Sequence, residues 1–114
     1  MPLVRSNGFL AELVRSPHRL CPPFVYAIWD GEAVKIGTSK VQPRSRMADL
    51  QTGNSRQLVL LAYTASATER EVHRRLARWR LRGEWFGPAP EVLSELRNWD
   101  WLDEGAVAAV AAAG

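Results

Sequence analysis

The run from Phe24 to Gly37, FVYAIWDGEAVKIG, limits what this chain can fold into more than any other stretch. Two segments of strand composition flank Asp30-Gly31. An Asp-Gly pair in that position predicts a tight β-hairpin, because both central residues of a type I′ turn need φ > 0. With Asp30-Gly31 as the turn, Trp29 opposes Glu32, Ile28 opposes Ala33 and Tyr26 opposes Lys35. Directly opposed side chains sit about 4.5–5.5 Å apart at Cβ, so the register places a phenol and an ammonium side by side. Phe24, Tyr26 and Ile28 share one face of the first strand; Val25, Ala27 and Trp29 share the other. Both faces are mostly apolar, which predicts a central strand. Lys35 interrupts an otherwise apolar second strand, Ala33 to Gly37. It also suits an edge strand, where a lysine discourages sheet-to-sheet pairing.

The rest of the chain reads as elements packed around that hairpin. At 114 residues it is the size of one domain. Residues 1–23 form a leader with a short helix near Gly8 to Arg15, ended by Cys21-Pro22-Pro23. Pro43 opens a helix to about Gln51, with Met47 and Leu50 facing the core and Gly53 behind it as a stop. Gln57 to Tyr63 reads as a third strand. Ser66 to Arg82 reads as the longest helix, with Val72, Leu76 and Trp79 as its apolar stripe. Gly83-Glu84-Trp85-Phe86 reads as a glycine cap followed by a loop that packs back on the core. A last helix spans about Glu91 to Trp99. Residues 103–114 form an Ala-rich tail of high helix propensity with little to bury, expected to be marginal. The expectation is an α+β domain over residues 24–102: a small three-stranded antiparallel sheet, the hairpin plus a third strand, flanked by helices.

Charge points to a partner. The chain carries 13 Arg against 2 Lys. Six of the arginines, Arg70, Arg74, Arg75, Arg78, Arg80 and Arg82, fall in one short segment. Clustered basic residues form an electrostatic footprint for nucleic acid, and the forked guanidinium is the better phosphate ligand. A GC-rich genome would also enrich Arg and Ala. No apolar run reaches the roughly 20 residues that span a bilayer, so no membrane partner is expected. Arg5, Glu12 and Arg15 interrupt the start, which does not read as a signal peptide. A lone cysteine excludes an internal disulfide and a multi-cysteine zinc site. The expected compartment is the cytoplasm.

Four residues have the chemistry for metal-assisted phosphodiester cleavage: Tyr26 and Lys35 on the hairpin, Arg46 on the first helix and Glu69 on the long helix. An arginine binds the phosphate and steadies developing charge. A carboxylate can hold Mg²⁺, which keeps most of its waters. A phenol, or the amine beside it, can orient or deprotonate water. Each also has a structural alternative. Tyr26 fits a core tyrosine and Arg46 a surface arginine. Glu69 completes a capping box with Ser66, whereas Thr68 and Glu71 form a second box that would free Glu69. His73, four residues after Glu69, fits a metal or phosphate ligand or a structural role. Glu84 fits an anchor for its loop. His73 and Glu84 are accessory candidates, and Lys40, Arg44, Arg74, Arg75 and Arg78 are candidate nucleic-acid contacts.

The order of these pieces resembles the GIY-YIG endonuclease superfamily, most closely its T5orf172/Mug113-like branch. The matching text is FVYAI, VKIGTSK, then RMADLQTGN, ATEREVHRRL and RLRGEWF, covering about Phe24 to Phe86. The resemblance implies a DNA endonuclease using one divalent metal, Mg²⁺ or Mn²⁺, on a three-stranded sheet flanked by helices. It implies that Tyr26 acts in water activation, that Arg46 contacts the scissile phosphate and that Glu69 binds the metal. Gly37 is implied to allow close packing beneath the site. Lys35 stands where the second motif usually has tyrosine, a substitution common within this branch. A catalytically weak or inactive nucleic-acid-binding module on the same fold is the alternative. Specificity in the superfamily usually comes from an attached domain or self-association, which implies a homodimer or a separate targeting partner.

Overall fold

The computed structural model describes residues 21–113. The leader helix expected near Gly8 to Arg15 lies outside the described residues. Six strands form one antiparallel sheet: β1 (Phe24–Trp29), β2 (Val34–Ser39), β3 (Val59–Thr64), β4 (Arg80–Arg82), β5 (Trp85–Phe86) and β6 (Trp101–Leu102). Their spatial order is β4-β5-β2-β1-β3-β6. Among the described residues four α-helices accompany them: α1 (Pro43–Thr52), α2 (Glu69–Arg75), α3 (Pro90–Leu96) and α4 (Glu104–Ala113). The class is α+β, as expected. The three expected strands form the centre of the sheet, and three short strands extend it at both edges.

β1 is central and buried on both faces, because its residues are apolar at every position. The hairpin register differs from the expected one by two residues. Tyr26 opposes Gly37, Ile28 opposes Lys35 and Trp29 opposes Val34. The loop therefore spans Asp30 to Ala33 and is not a two-residue turn. The Asp30 carboxylate is the cause: its Oδ1 accepts the amides of Glu32 (2.9 Å) and Ala33 (2.8 Å). Such an Asx arrangement competes with the tighter turn. Gly31 supplies the positive φ of +102°. An even shift leaves every side chain on its own face. Lys35 thus stays on the face of Tyr26, as its diagonal neighbour at about 7–8 Å and not directly opposite.

Each face of the sheet carries its own core. On one side Val25, Ala27, Val34 and Ile36 pack with Phe86 of β5 and with Val72, Leu76, Val92, Leu96, Val107 and Val110 from the segments of α2, α3 and α4. On the other side Phe24, Tyr26, Ile28, Leu60 and Tyr63 meet Met47 and Leu50 of α1, with Trp101 alongside.

Three further expectations change. The long helix stops at Arg75. A single 3-10 turn, Ala77–Trp79, follows, and then β4. The Trp79 carbonyl accepts the Gly87 amide (2.8 Å), and β4 and β5 pair around Gly83, whose φ is +51°. Gly83 is therefore the corner of a hairpin and not a helix cap. The last expected helix ends at Leu96, earlier than Trp99. The tail is a docked helix: Asp103 accepts the Ala106 amide at its start (3.0 Å), and Val107 and Val110 are buried. Fully burying a valine is worth at least about 1.5 kcal/mol, enough to fix an otherwise marginal helix.

Candidate active site

The site is built around the edge of β2 at Gly37. A Cβ placed on Gly37 would lie 2.6 Å from the Tyr26 hydroxyl oxygen and 2.9 Å from Glu84 Oε1. Both oxygens therefore flank one small space that only a glycine leaves open. Tyr26 reaches it from β1, across the strand pair, and is itself 1% exposed. Glu84 reaches it from the β4-β5 turn. Its backbone carbonyl accepts the Ile36 amide (2.8 Å), which seats the turn against β2. Lys35 Nζ lies 3.1 Å from Glu84 Oε1, half-buried on the α1 side.

Glu69 arrives from the opposite side of the sheet, as the first residue of α2. The capping box formed is the Thr68 one. Thr68 Oγ1 accepts the Glu71 amide (3.1 Å) and Glu71 Oε1 accepts the Thr68 amide (3.0 Å). These bonds hold the Glu71 carboxyl below the usual glutamate range. The Ser66 alternative is lost because Ser66 Oγ donates to Asp100, which also binds Thr64 Oγ1 and the Ala65 amide. Glu69 is thereby released from capping. Its Oε1 accepts from the Thr38 hydroxyl, and its Oε2 lies 3.6 Å from His73 Nε2. His73 is held in turn by the Ile36 carbonyl at 2.8 Å and by an edge contact with Phe86.

Glu69 lies close enough to Glu84 to act on it, so two carboxylates share one site. Burial pushes the Glu84 carboxyl up. The Lys35 ammonium bonded to it, the neighbouring Glu69 carboxyl and the charge of His73 outweigh it and leave Glu84 below its ordinary value. Two neighbouring carboxylates repel unless a proton or a cation lies between them. The donor set fits a hard divalent cation, for which Mg²⁺ uses one or two carboxylates and completes its shell with water. Among the described residues no group of three or more His, Cys, Asp or Glu is placed to hold a metal ion, so the protein ligands would be the two carboxylates.

The structure thus brings together Tyr26, Lys35, Glu69, His73 and Glu84. Arg46 lies half-buried on α1, on the Tyr26 side of the sheet, outside this hydrogen-bonded cluster. The expected contact residues scatter, since the basic segment is not one helix. Lys40, Arg74 and Arg78 are exposed. Arg44 lies over the Trp101 ring (4.8 Å). Arg75 is clamped to Glu95 through both ends of its guanidinium (2.6 and 3.2 Å) and joins α2 to α3. Sequence reasoning passed over Thr38 and gave Glu84 only an accessory place. The signal for both was position: Thr38 follows Gly37 directly, and Glu84 stands between a glycine and two aromatics.

No curated protein and no solved structure matches this chain. Residues 23–100 match the T5orf172 domain, which is linked to nuclease-like proteins. That span holds β1 through α3 and every residue of the site, and covers well over half of the sequence: the chain belongs to the T5orf172 domain family.

Proposed function

We propose that the protein is a metal-dependent DNA endonuclease of GIY-YIG type that hydrolyses phosphodiester bonds. The observation that carries this reading is Glu84 at Gly37, beside the buried Tyr26 hydroxyl, with Glu69 on the hydroxyl of the next residue, Thr38. Glu69, with Glu84, would hold Mg²⁺ or Mn²⁺, which supplies charge to the phosphate oxygens. Tyr26 orients the attacking water by hydrogen bonding, and its burial fixes the direction of its hydroxyl. Lys35 stands beside it, holds Glu84 and adds positive charge near the phosphate. Arg46 binds the phosphate from the α1 side, where a guanidinium fork suits two of its oxygens. The exposed Lys40, Arg44, Arg74 and Arg78 track the strand. A targeting partner or a second copy of the chain would set sequence preference, and the cytoplasm is the proposed compartment. Among the described residues no helix is long and apolar enough to cross a membrane.

One observation favours a second reading. The Lys35 ammonium already neutralises Glu84 at 3.1 Å, as it would in a nucleic-acid-binding module that performs no cleavage. Plasmid DNA incubated with the purified protein and Mg²⁺ or Mn²⁺ separates the two. The nuclease reading requires nicking that Glu69→Ala abolishes. DNA binding that survives both EDTA and Glu69→Ala, with no product, supports the second reading and refutes the first.

A further inference from the structure

A cavity of about 310 Å³ opens on the α1 side of the sheet, lined in part by Lys35, the partner of Glu84. Its apolar lining comes from Ile28, Leu50 and Leu58, with Trp85 contributing an aromatic ring; Lys35, Asp49 and Asn54 supply its polar groups. Two stretches distant in sequence meet there: Asp49 to Asn54 at the end of α1, and Glu84-Trp85 at the start of β5. Gln51 fixes the first of them. Its Oε1 accepts the Leu58 amide (2.7 Å) and its Nε2 donates to the Arg56 carbonyl (2.8 Å). Asn54 Oδ1 accepts the Arg56 amide (2.8 Å), which leaves the Asn54 amide nitrogen as the group to meet a ligand.

Lys35 belongs to both places. Its Nζ lies 5.5 Å from the centre of the Trp85 ring and 3.1 Å from Glu84 Oε1. A ligand touching the cavity and the carboxylate site together must carry a flat ring with polar edges, and an anion a short reach away. We propose that the cavity receives one unpaired nucleobase of a DNA strand whose neighbouring phosphate lies at the Glu69-Glu84 site. The proposal rests on reading that site as a DNA site, but not on its catalysis. The volume is at the low end of the roughly 300–1,000 Å³ of small-molecule pockets, suited to a single ring system. The Trp85 ring offers a stacking platform. The Asp49 carboxylate accepts from an exocyclic amine, and the Asn54 amide donates to a ring acceptor. Adenine and cytosine carry such an amine and thymine does not. A base held in a duplex keeps its faces stacked, so it must be single-stranded or extruded to enter. A wholly apolar ligand would instead strip water from Asp49, Asn54 and Lys35 without replacing its hydrogen bonds.

The test is fluorescence anisotropy on the full chain with Mg²⁺ and phosphorothioate-linked probes that resist hydrolysis, so that a cation is kept at the carboxylates while cleavage plays no part. The probes are short single strands of dA, dC or dT and a strand of equal length built of abasic sites. The pocket requires the dA and dC strands to bind roughly ten-fold or more tightly than the abasic strand. Trp85→Ala should erase that difference and Trp85→Phe should keep most of it. Asp49→Ala, on the exposed face of α1, should remove the preference for dA and dC over dT while leaving the fold intact. Equal binding of base-bearing and abasic strands, or no binding of any strand, overturns the proposal. So does an unchanged base preference in Asp49→Ala, a result that stands even if Trp85→Ala does not fold. The two readings fail differently: no cleavage with base preference intact refutes only the nuclease, and cleavage without base dependence refutes only the pocket.

Discussion

Gly37 has no room for a side chain, and that restriction carries chemical meaning. The space a Cβ would occupy is the space the Tyr26 hydroxyl and the Glu84 carboxylate share. Gly37→Ala should therefore cost about 1–3 kcal/mol, the usual penalty for overpacking a close-fitted site. Urea denaturation measures it, and the variant should lose DNA cleavage beyond what its reduced stability explains. Tyr26→Phe makes the complementary case: it removes one oxygen from a buried ring, so the fold should survive while cleavage is lost. The sequence identified Tyr26, Lys35 and Glu69 because their residue types stand out against apolar or helical surroundings. The turn at Asp30 escaped it. An Asp-Gly pair predicts φ > 0, but the choice between a two-residue and a four-residue loop depends on where the Asp30 carboxylate points. The error was harmless to the site only because a shift of two preserves the faces.

The elements that were misread from sequence are the ones that assemble the site. A helix continuing from Arg75 to Arg82 satisfies every local propensity, and six arginines reinforce the appearance. The chain breaks after Arg75 because the Trp79 carbonyl binds Gly87 and because Arg80 and Arg82 pair with Phe86 and Trp85. These are nonlocal bonds, invisible to periodicity. The resulting hairpin delivers Glu84 to Gly37. The two capping boxes before α2 were equally good on paper, and Asp100, thirty-four residues from Ser66, decides between them. Thr68→Ala should cost about 1 kcal/mol, or roughly 4–8 °C in melting temperature for a domain of this class. It should also weaken metal binding, because Glu69 begins the helix that the cap anchors. Ser66→Ala, whose hydroxyl binds Asp100 and not the helix, should leave metal affinity unchanged. The clamp between α2 and α3 predicts an acid limit. The Arg75 guanidinium holds Glu95 below its ordinary value; burial opposes this and the Trp99 indole assists. A depressed carboxyl contributes stability that is full above its unfolded pKa and is lost as pH falls through the folded one. The melting temperature should thus decline below about pH 4.5, the ordinary glutamate value. The decline should be shallower in Glu95→Gln.

At the scale of the whole molecule, one sheet separates two cores and the proposed site lies at its interior strand β2. α1 covers the face that bears Tyr26 and Lys35, and α2 to α4 cover the face from which Glu69 and His73 come. The α+β class and the central hairpin were legible because apolar patterning is a local signal. The docking of α4 was not, since two valines in an alanine run matter only when a surface waits for them. The scattered arginines lead to a graded expectation for DNA binding. Affinity should fall steeply with salt, and Arg74→Ala or Arg78→Ala should each lower the salt slope by about one. Arg75→Ala should lower stability and leave the slope unchanged, because Glu95 already occupies its guanidinium. The proposed metal site rests on the carboxylate pair, and titration of Mn²⁺ followed by electron paramagnetic resonance tests it most directly. The account predicts one ion bound per chain in the wild type, lost in Glu69→Ala and weakened at least ten-fold in Glu84→Gln. A wild-type protein that binds no Mn²⁺, or variants that bind it as the wild type does, would contradict it.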